Sequence, residues 1–234
     1  MDAALRDSIA GWLAGAVQTG HSEAPVPLSA APRSMLDGQR IAARVLEMLD
    51  LTACGLRLAH RTSGRPVPGP VLASRILKDG ERVSMSMLRH SRASAAVIGK
   101  LAEDLLRRGD DMPSFATLHP AIDILSWRLP EPPSTGALAA ADLAGLGFIV
   151  CGKAKRMLPM RLRISLAPSG TWRRGEELDL EEAMMAATLA ARRAGGLPRG
   201  ALLVVPLGES LEPQAGLSLQ ASFGRLGRVG VEFV

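Results

Sequence analysis

The sequence predicts a single α+β domain, and three features of its 234 residues support this fold class. Two segments near the N-terminus have the apolar spacing of amphipathic helices, and the region after them is punctuated by Gly and Pro in the manner of short strands. One further helix is predicted late in the chain, again followed by short strands. The regular βαβ alternation of a doubly wound sheet is missing, so helices and strands are expected to segregate.

The composition is that of a folded protein, with 47% hydrophobic and 22% charged residues. No apolar run approaches the ~20 residues that cross a bilayer, and the first residues lack the basic start of a secretory signal. Two cysteines far apart in the chain predict neither a disulfide framework nor a thiolate zinc site. A cytoplasmic location without a membrane partner is therefore expected.

The net charge of +5 suggests an anionic partner such as a carboxylate ligand or a nucleic acid. Aromatic residues make up only 3% of the chain and tyrosine is absent, so the stacking surfaces that hold single strands are hard to build. The arginines are also scattered along the sequence. We therefore expect a small carboxylate rather than a nucleic acid.

The N-terminal helices are predicted over residues 2–17 and 34–49, because each places apolar side chains on one face. Ser34, three residues before Asp37, forms a variant of the capping box that begins the second helix. A Pro-rich connector separates them.

The rest of the chain is predicted to be strands, loops and one helix. The helix over residues 180–194 has paired acids at its start and paired arginines at its end, which suits the helix dipole. Pro113, Pro120 and residues 130–136 are predicted as loops. Strands are expected within residues 51–86 and at 91–98, 146–151, 201–206, 217–223 and 228–233.

Three sequence blocks resemble the 2-keto-4-pentenoate hydratase and oxalocrotonate decarboxylase branch of the fumarylacetoacetate hydrolase superfamily. They are Gly-Pro-Val-Leu-Ala-Ser-Arg at 69–75, His-Pro-Ala-Ile-Asp-Ile-Leu-Ser-Trp-Arg at 119–128, and a tail from residue 180 that ends in Phe-Gly-Arg-Leu-Gly-Arg-Val-Gly-Val-Glu-Phe at 223–233. The resemblance implies a mixed β-sheet rolled into a barrel-like fumarylacetoacetate-hydrolase-type fold. It further implies an N-terminal helical segment, 1–50, packed on the same domain as a β-roll, 51–234, and a homo-oligomer.

In this family a magnesium or manganese ion is held by a Glu-x-Glu pair and a third acid, the oxygen ligands that a hard cation requires. The matching strand here has Ser91 and Ala93 at the glutamate positions, and only Asp123 remains of the three acids. The resemblance therefore implies that the metal site is degenerate, and we expect no cofactor.

Other family positions have changed as well. The Gly-x-Lys-x-Gly segment resembles residues 55–59, with Arg57 in place of the lysine and Ala59 in place of the second glycine. The family's Asp-Asn-Ala-Ser stretch resembles residues 142–145 without its asparagine and serine, and its Thr-Gly turn matches residues 206–207.

The resemblance makes Asp123 and His119 the candidate catalytic residues, which would move protons. Arg57 and Arg128 are the candidate substrate-binding residues, since a guanidinium can hold a carboxylate through two parallel hydrogen bonds. Three of them have a structural alternative: Asp123 as a strand-end acid paired with Arg128 or with a backbone donor, His119 as a hydrogen-bonding loop residue, and Arg57 as a surface or ion-pair arginine. Cys151 is either a nucleophile that lacks an identifiable base or a buried structural cysteine.

Two functions follow from the resemblance. The first is a divergent hydratase- or decarboxylase-like lyase that acts on a small 2-oxo or 2-hydroxydienoic acid. The second is a non-catalytic binding or assembly subunit, beside a pathway partner of the same fold. They are distinguished by whether Arg57, Asp123 and His119 converge on one enclosed cavity with room for a ligand, or whether Leu143, Leu56 or Trp127 fills that space.

Overall fold

The computed structural model describes residues 1–20, 23–59, 66–156, 161–171 and 173–234. Part of the predicted strand region, residues 60–65, lies outside the described residues. Four α-helices are described: α1 (Ala3–Thr19), α2 (Met35–Met48), α3 (Gly136–Ala141) and α4 (Leu180–Arg193). The α+β class is confirmed.

The strands form two sheets. Their bounds are β1 (Gly55–Ala59), β2 (Val67–Val71), β3 (Ile76–Lys78), β4 (Arg82–Val83), β5 (Arg92–Leu101), β6 (Phe115–Leu125), β7 (Phe148–Cys151), β8 (Arg161–Pro168), β9 (Glu176–Asp179), β10 (Leu202–Leu211), β11 (Ser218–Ser222) and β12 (Arg228–Phe233). The larger sheet has the order β2-β1-β10-β5-β6-β7-β3 and mixes parallel with antiparallel pairs. The smaller sheet has the order β4-β12-β11-β8-β9.

The largest buried cluster draws on both sheets. It takes Ile122 and Ile124 from β6, Leu162 and Ile164 from β8, and residues of β10, β11 and β12. Its members alternate along each strand with residues of the opposite face, as the pleat requires. The other face of the larger sheet is therefore left to a separate set of side chains, and the candidate site residues lie there.

The N-terminal helices form a second core with the larger sheet's loops. Ile9 and Leu13 of α1 and Ile41 and Val45 of α2 are buried in one cluster with Leu143. The predicted cap of α2 is confirmed, because the Ser34 hydroxyl accepts a hydrogen bond from the backbone N–H of Asp37 at 3.1 Å.

The loop prediction for Pro120 is wrong, since this residue lies within β6, opposite Val97 of β5. A strand residue directs its N–H and its C=O to the same side, and the Pro120 carbonyl faces β7, where it accepts from the N–H of Gly152. The pairing of β6 with β7 ends at Ala121, so a residue without an N–H is tolerated at position 120.

Helix α3 and strands β8 and β9 were not predicted from the sequence. Helix α3 is a six-residue Ala-rich turn that is too short to show a period, although Thr135 caps it by accepting from Leu138 N–H at 3.1 Å. Strand β8 alternates exposed and buried residues over its first half, so this period-2 signal was present in the sequence.

Among the described residues, the helices are either too short or too polar to cross a bilayer.

Candidate functional site

Two of the predicted site residues meet in a buried ion pair. Arg57 on β1 and Asp123 on β6 have only 1% and 0% of their surfaces exposed. The Nη1 atom of Arg57 donates to Oδ1 of Asp123 at 2.6 Å. The two residues come from strands that are not adjacent in the sheet, so the pair spans the curled face of the larger sheet.

The other end of the Arg57 guanidinium holds a turn of the backbone. Its Nη2 atom donates to the carbonyl oxygens of Ala144 and Gly145, at 2.6 Å each. Leu143, Ala144 and Gly145 all have left-handed backbone angles, with φ of 51°, 52° and 68°. This conformation is unusual for the first two residues, so the turn requires support from its surroundings. Three close acceptors occupy both terminal nitrogens of Arg57.

Arg128 forms a second buried pair on the same turn, with Asp142. Its Nε atom and its backbone N–H donate to the two carboxylate oxygens of Asp142 at 2.5 and 2.8 Å. Its terminal nitrogens donate to the carbonyl oxygens of Leu146 and of Asp142, at 2.5 and 2.8 Å. Burial raises the pKa of the Asp142 carboxyl, while the charge and hydrogen bonds of Arg128 act in the opposite direction.

The turn at residues 142–146 is thus held by two guanidinium groups, and apolar side chains fill the space beside it. Leu143 is 1% exposed and Trp127 is 5% exposed. The Trp127 ring lies so close that a Cβ at Gly145 would be 3.0 Å from its carbon atoms. Trp127 therefore covers the turn that Arg57 holds, whereas Leu143 packs with α1 and α2 and Leu56 faces the main core.

His119 lies on the same strand as Asp123 but engages other groups. Four residues of strand separate the two, a distance of ~13 Å. The His119 Nδ1 atom lies 3.0 Å from the Gly152 carbonyl oxygen, and Nε2 lies 3.1 Å from the Thr117 hydroxyl. A carbonyl can only accept, so we assign the proton to Nδ1 and let Nε2 accept from Thr117. In the described part of the chain, His119 makes no hydrogen bond to Arg57 or Asp123.

Cys151 lies next to His119, with 3.4 Å between the sulfur and Nδ1. Because Nδ1 carries the proton that goes to Gly152, it has no lone pair to accept a thiol proton. Burial also raises the pKa of the Cys151 thiol, which disfavours the reactive thiolate. This geometry favours the structural alternative for Cys151.

We expect Cys151 to react slowly with iodoacetamide at pH 8. In a Cys54→Ser variant, which isolates Cys151, labelling followed by mass spectrometry should be slower in the folded protein than in urea. Labelling of the folded protein as fast as the unfolded chain would show an activated thiol and contradict this assignment.

The sheet register defines which residues surround Asp123. Ser94 of β5 lies directly opposite Asp123, and cross-strand partners share a face. Ala93 faces the other way, into the main core. On β5, residues 92 and 94 share the face of Asp123, and each follows by one residue a position, Ser91 or Ala93, that the resemblance matched to a glutamate. Ser94 supplies a hydroxyl rather than a carboxylate.

No protein-family model and no curated protein matches the sequence. Solved structures do match the fold. The structure of 4-oxalocrotonate decarboxylase from Pseudomonas putida G7, complexed with magnesium and adipate, has a TM-score of 0.81 at 15% identity and covers 100% of this chain and 99% of its own. A second structure of that enzyme, with calcium and acetate, has a TM-score of 0.79 at 15% identity over the same shares.

A third match is 2-hydroxyhepta-2,4-diene-1,7-dioate isomerase from Mycobacterium marinum. Its TM-score is 0.57 at 11% identity, over 79% of this chain and 76% of its own. These likenesses confirm the predicted fumarylacetoacetate-hydrolase-type fold, with its mixed curled sheet and N-terminal helices. The decarboxylase shares this fold over the whole length of the chain, including α1 and α2.

The bound cations contradict the prediction that no cofactor is involved. The two structures of the decarboxylase, which shares this fold, hold magnesium and calcium. The prediction was wrong because it rested on substituted ligand positions alone.

The side chains around Asp123 nevertheless fit such a cation poorly. The Asp123 carboxylate is in contact with the Arg57 guanidinium, and the residue opposite it is Ser94. Within the described ranges, no three His, Cys, Asp or Glu side chains are grouped as ligands would be. A divalent cation needs several negative oxygens, and these positions supply one carboxylate, which already contacts Arg57.

Sequence reasoning named Arg57, Asp123 and Arg128 but not the partners that they have. One of its alternatives paired Asp123 with Arg128, whereas the structure pairs Asp123 with Arg57 and Arg128 with Asp142. Asp142 was recognised as part of a family-like stretch but was given no role. Asp142 precedes three residues with left-handed backbone angles, and the sequence alone does not reveal this conformation.

Proposed function

We propose that this chain is a non-catalytic binding or assembly subunit with the fumarylacetoacetate-hydrolase-type fold. The observation that carries the proposal is the buried Arg57–Asp123 ion pair, because it engages the two residues on which a catalytic role would depend. The proposal predicts an oligomer, formed with other copies or with an active enzyme of the same fold.

The terminal nitrogens of Arg57 are not available to hold a substrate carboxylate, although its buried Nε atom has no hydrogen-bond partner among the described residues. Its two terminal nitrogens already have three acceptors at 2.6 Å. A ligand would have to displace Asp123 or the 144–145 carbonyls, which leaves buried polar groups without partners at a cost of ~1–3 kcal/mol each.

Asp123 is equally constrained as a proton-transfer group. A general acid or base must reach the proton that it moves within hydrogen-bonding distance of the substrate. Asp123 has no exposed surface and contacts Arg57, and His119 lies far along the strand. These contacts support a structural role for the pair.

The second candidate is the lyase that acts on a small 2-oxo or 2-hydroxydienoic acid. One observation favours it: the decarboxylase that shares the fold over its whole length has the dicarboxylate adipate bound. Fold alone does not define activity, so this candidate ranks below the first.

We expect no turnover of 2-hydroxypenta-2,4-dienoate or 4-oxalocrotonate by the purified chain. Their ultraviolet absorbance should be followed with magnesium, with manganese and with chelator, and an active 4-oxalocrotonate decarboxylase serves as the positive control. The matched negative control is the Arg57→Met/Asp123→Leu variant, which replaces both charges together.

Turnover by the wild-type chain that this double variant lacks would establish the lyase and overturn the proposal. Light scattering at micromolar concentration tests the assembly role separately. A purely monomeric mass, unchanged on mixing with the active decarboxylase, would count against an assembly subunit.

A further inference from the structure

A groove of about 480 Å³ lies on the outer face of the smaller sheet. We call it the arginine groove and define it by Arg163, Arg173, Arg174, Arg228, Ser165 and Ser222. The strand residues among these alternate with core residues such as Ile164, Ala221 and Val229. The groove therefore lies on the opposite face of this sheet from the main core, and it includes none of the site residues described above.

The strand register places a row of polar side chains on the floor of the groove. Ser222 of β11 is opposite Arg228 of β12 on one side and Ser165 of β8 on the other. Side chains in such a row are ~4.5–5.5 Å apart and share a face. Two hydroxyl groups and a guanidinium can thus contact one small anion.

Described residues of the loop between β8 and β9 line the groove and include two more arginines, Arg173 and Arg174. Gly175, at the end of this loop, approaches β8 closely. A Cβ at Gly175 would lie 2.7 Å from Arg163 Cγ and 3.0 Å from the Ile164 carbonyl oxygen. The glycine therefore lets the loop lie directly on the strand and keeps its arginines beside the floor.

The charges of the groove are only partly balanced. Arg173 pairs with Glu209 at 2.7 Å and Arg163 with Glu177 at 3.5 Å. Within the residues that the structure describes, Arg174 and Arg228 have no carboxylate within ion-pairing distance, and no acidic side chain lines the groove. Two positive charges remain for a ligand.

We propose that the arginine groove binds a phosphoryl group of a small molecule. A phosphoryl group carries about −1.5 to −2 charges at neutral pH and three acceptor oxygens, which match two unbalanced guanidinium groups and two hydroxyl donors. The groove volume falls within the ~300–1,000 Å³ typical of small-molecule sites. The ligand is either a free phosphate or a phosphate ester, since both present the same chemistry.

The test is calorimetric titration of the full chain with inorganic phosphate, pyrophosphate and ADP, at constant ionic strength. Arg174→Gln/Arg228→Gln removes the two unbalanced charges, and both side chains are exposed, so folding should be retained. Arg225→Gln is the matched control, because Arg225 is an exposed arginine three residues from Arg228 that does not line the groove. Circular dichroism confirms that all variants are folded.

We expect at least one phosphorylated ligand to bind, with an affinity at least tenfold weaker in the double variant and unchanged in Arg225→Gln. Tighter binding of ADP than of inorganic phosphate identifies an ester, and the reverse order identifies free phosphate. Absence of binding by the wild-type chain at millimolar ligand, or equal affinity in the double variant, would overturn the proposal. So would equal or tighter binding of malonate, a dicarboxylate of similar charge.

Discussion

Replacing Arg57 by alanine should lower the free energy of unfolding by about 3–5 kcal/mol. The change leaves the Asp123 carboxylate buried without its cation, and it also removes the donor for two backbone carbonyls. A buried charge without a partner is far more costly than the loss of the attraction alone. Urea denaturation followed by circular dichroism measures the difference.

Two further variants define the origin of this effect. Arg57→Met/Asp123→Leu removes both charges and should recover the part of the lost stability that comes from the unpaired carboxylate, because apolar replacement of a buried pair is often close to neutral. The carbonyls of Ala144 and Gly145 still lack their donor in this variant. Arg82→Ala breaks the pair with Glu232, which is similar in length at 2.9 Å but has 71% of the arginine exposed, and should change stability by less than ~1 kcal/mol. A single-variant effect as small as that of Arg82→Ala would show that the buried pair is not structural.

Replacing Asp142 by leucine should also cost about 3–5 kcal/mol, this time by leaving a buried guanidinium without its carboxylate. Asp142 accepts from both the side chain and the backbone N–H of Arg128. For a chain of this size, ~1 kcal/mol corresponds to a shift of ~2–4 °C in the melting temperature. Differential scanning calorimetry should therefore record a decrease of about 6–20 °C.

Asp142→Asn provides the graded comparison. It keeps one oxygen acceptor but loses the charge, and it replaces the second acceptor by an NH2 donor that faces an N–H of Arg128. Its melting temperature should therefore lie between those of the wild type and Asp142→Leu. Equal melting temperatures for the leucine variant and the wild type would contradict the assigned role of the Arg128–Asp142 pair.

The parts of the fold that the sequence predicted are those with a local signal. Helix α4 has charged residues that match its dipole, and α2 has a capping residue whose hydrogen bond the structure contains. Pro120 misled the prediction because a proline is tolerated where the neighbouring strand ends, and that ending depends on tertiary pairing. The local sequence pattern of one strand does not indicate where its partner strand ends.

The site shows the same limit more strongly. Arg57 and Asp123 are 66 residues apart in the chain, and no spacing rule predicts that their side chains touch. The acceptors at residues 144 and 145 are backbone carbonyls, which every residue has, so their role depends only on the shape of the turn. The resemblance located the residues, and the packing determined what they can do.

The turn at residues 142–146 contacts both the N-terminal helices and the larger sheet. Leu143 packs in the cluster with α1 and α2, while the neighbouring carbonyls of Ala144 and Gly145 accept from Arg57 on the larger sheet. Partial unfolding that released the helical segment would disturb the turn and admit water to both buried ion pairs. Local opening at this junction therefore breaks contacts with both parts, which favours cooperative melting of helices and sheet together.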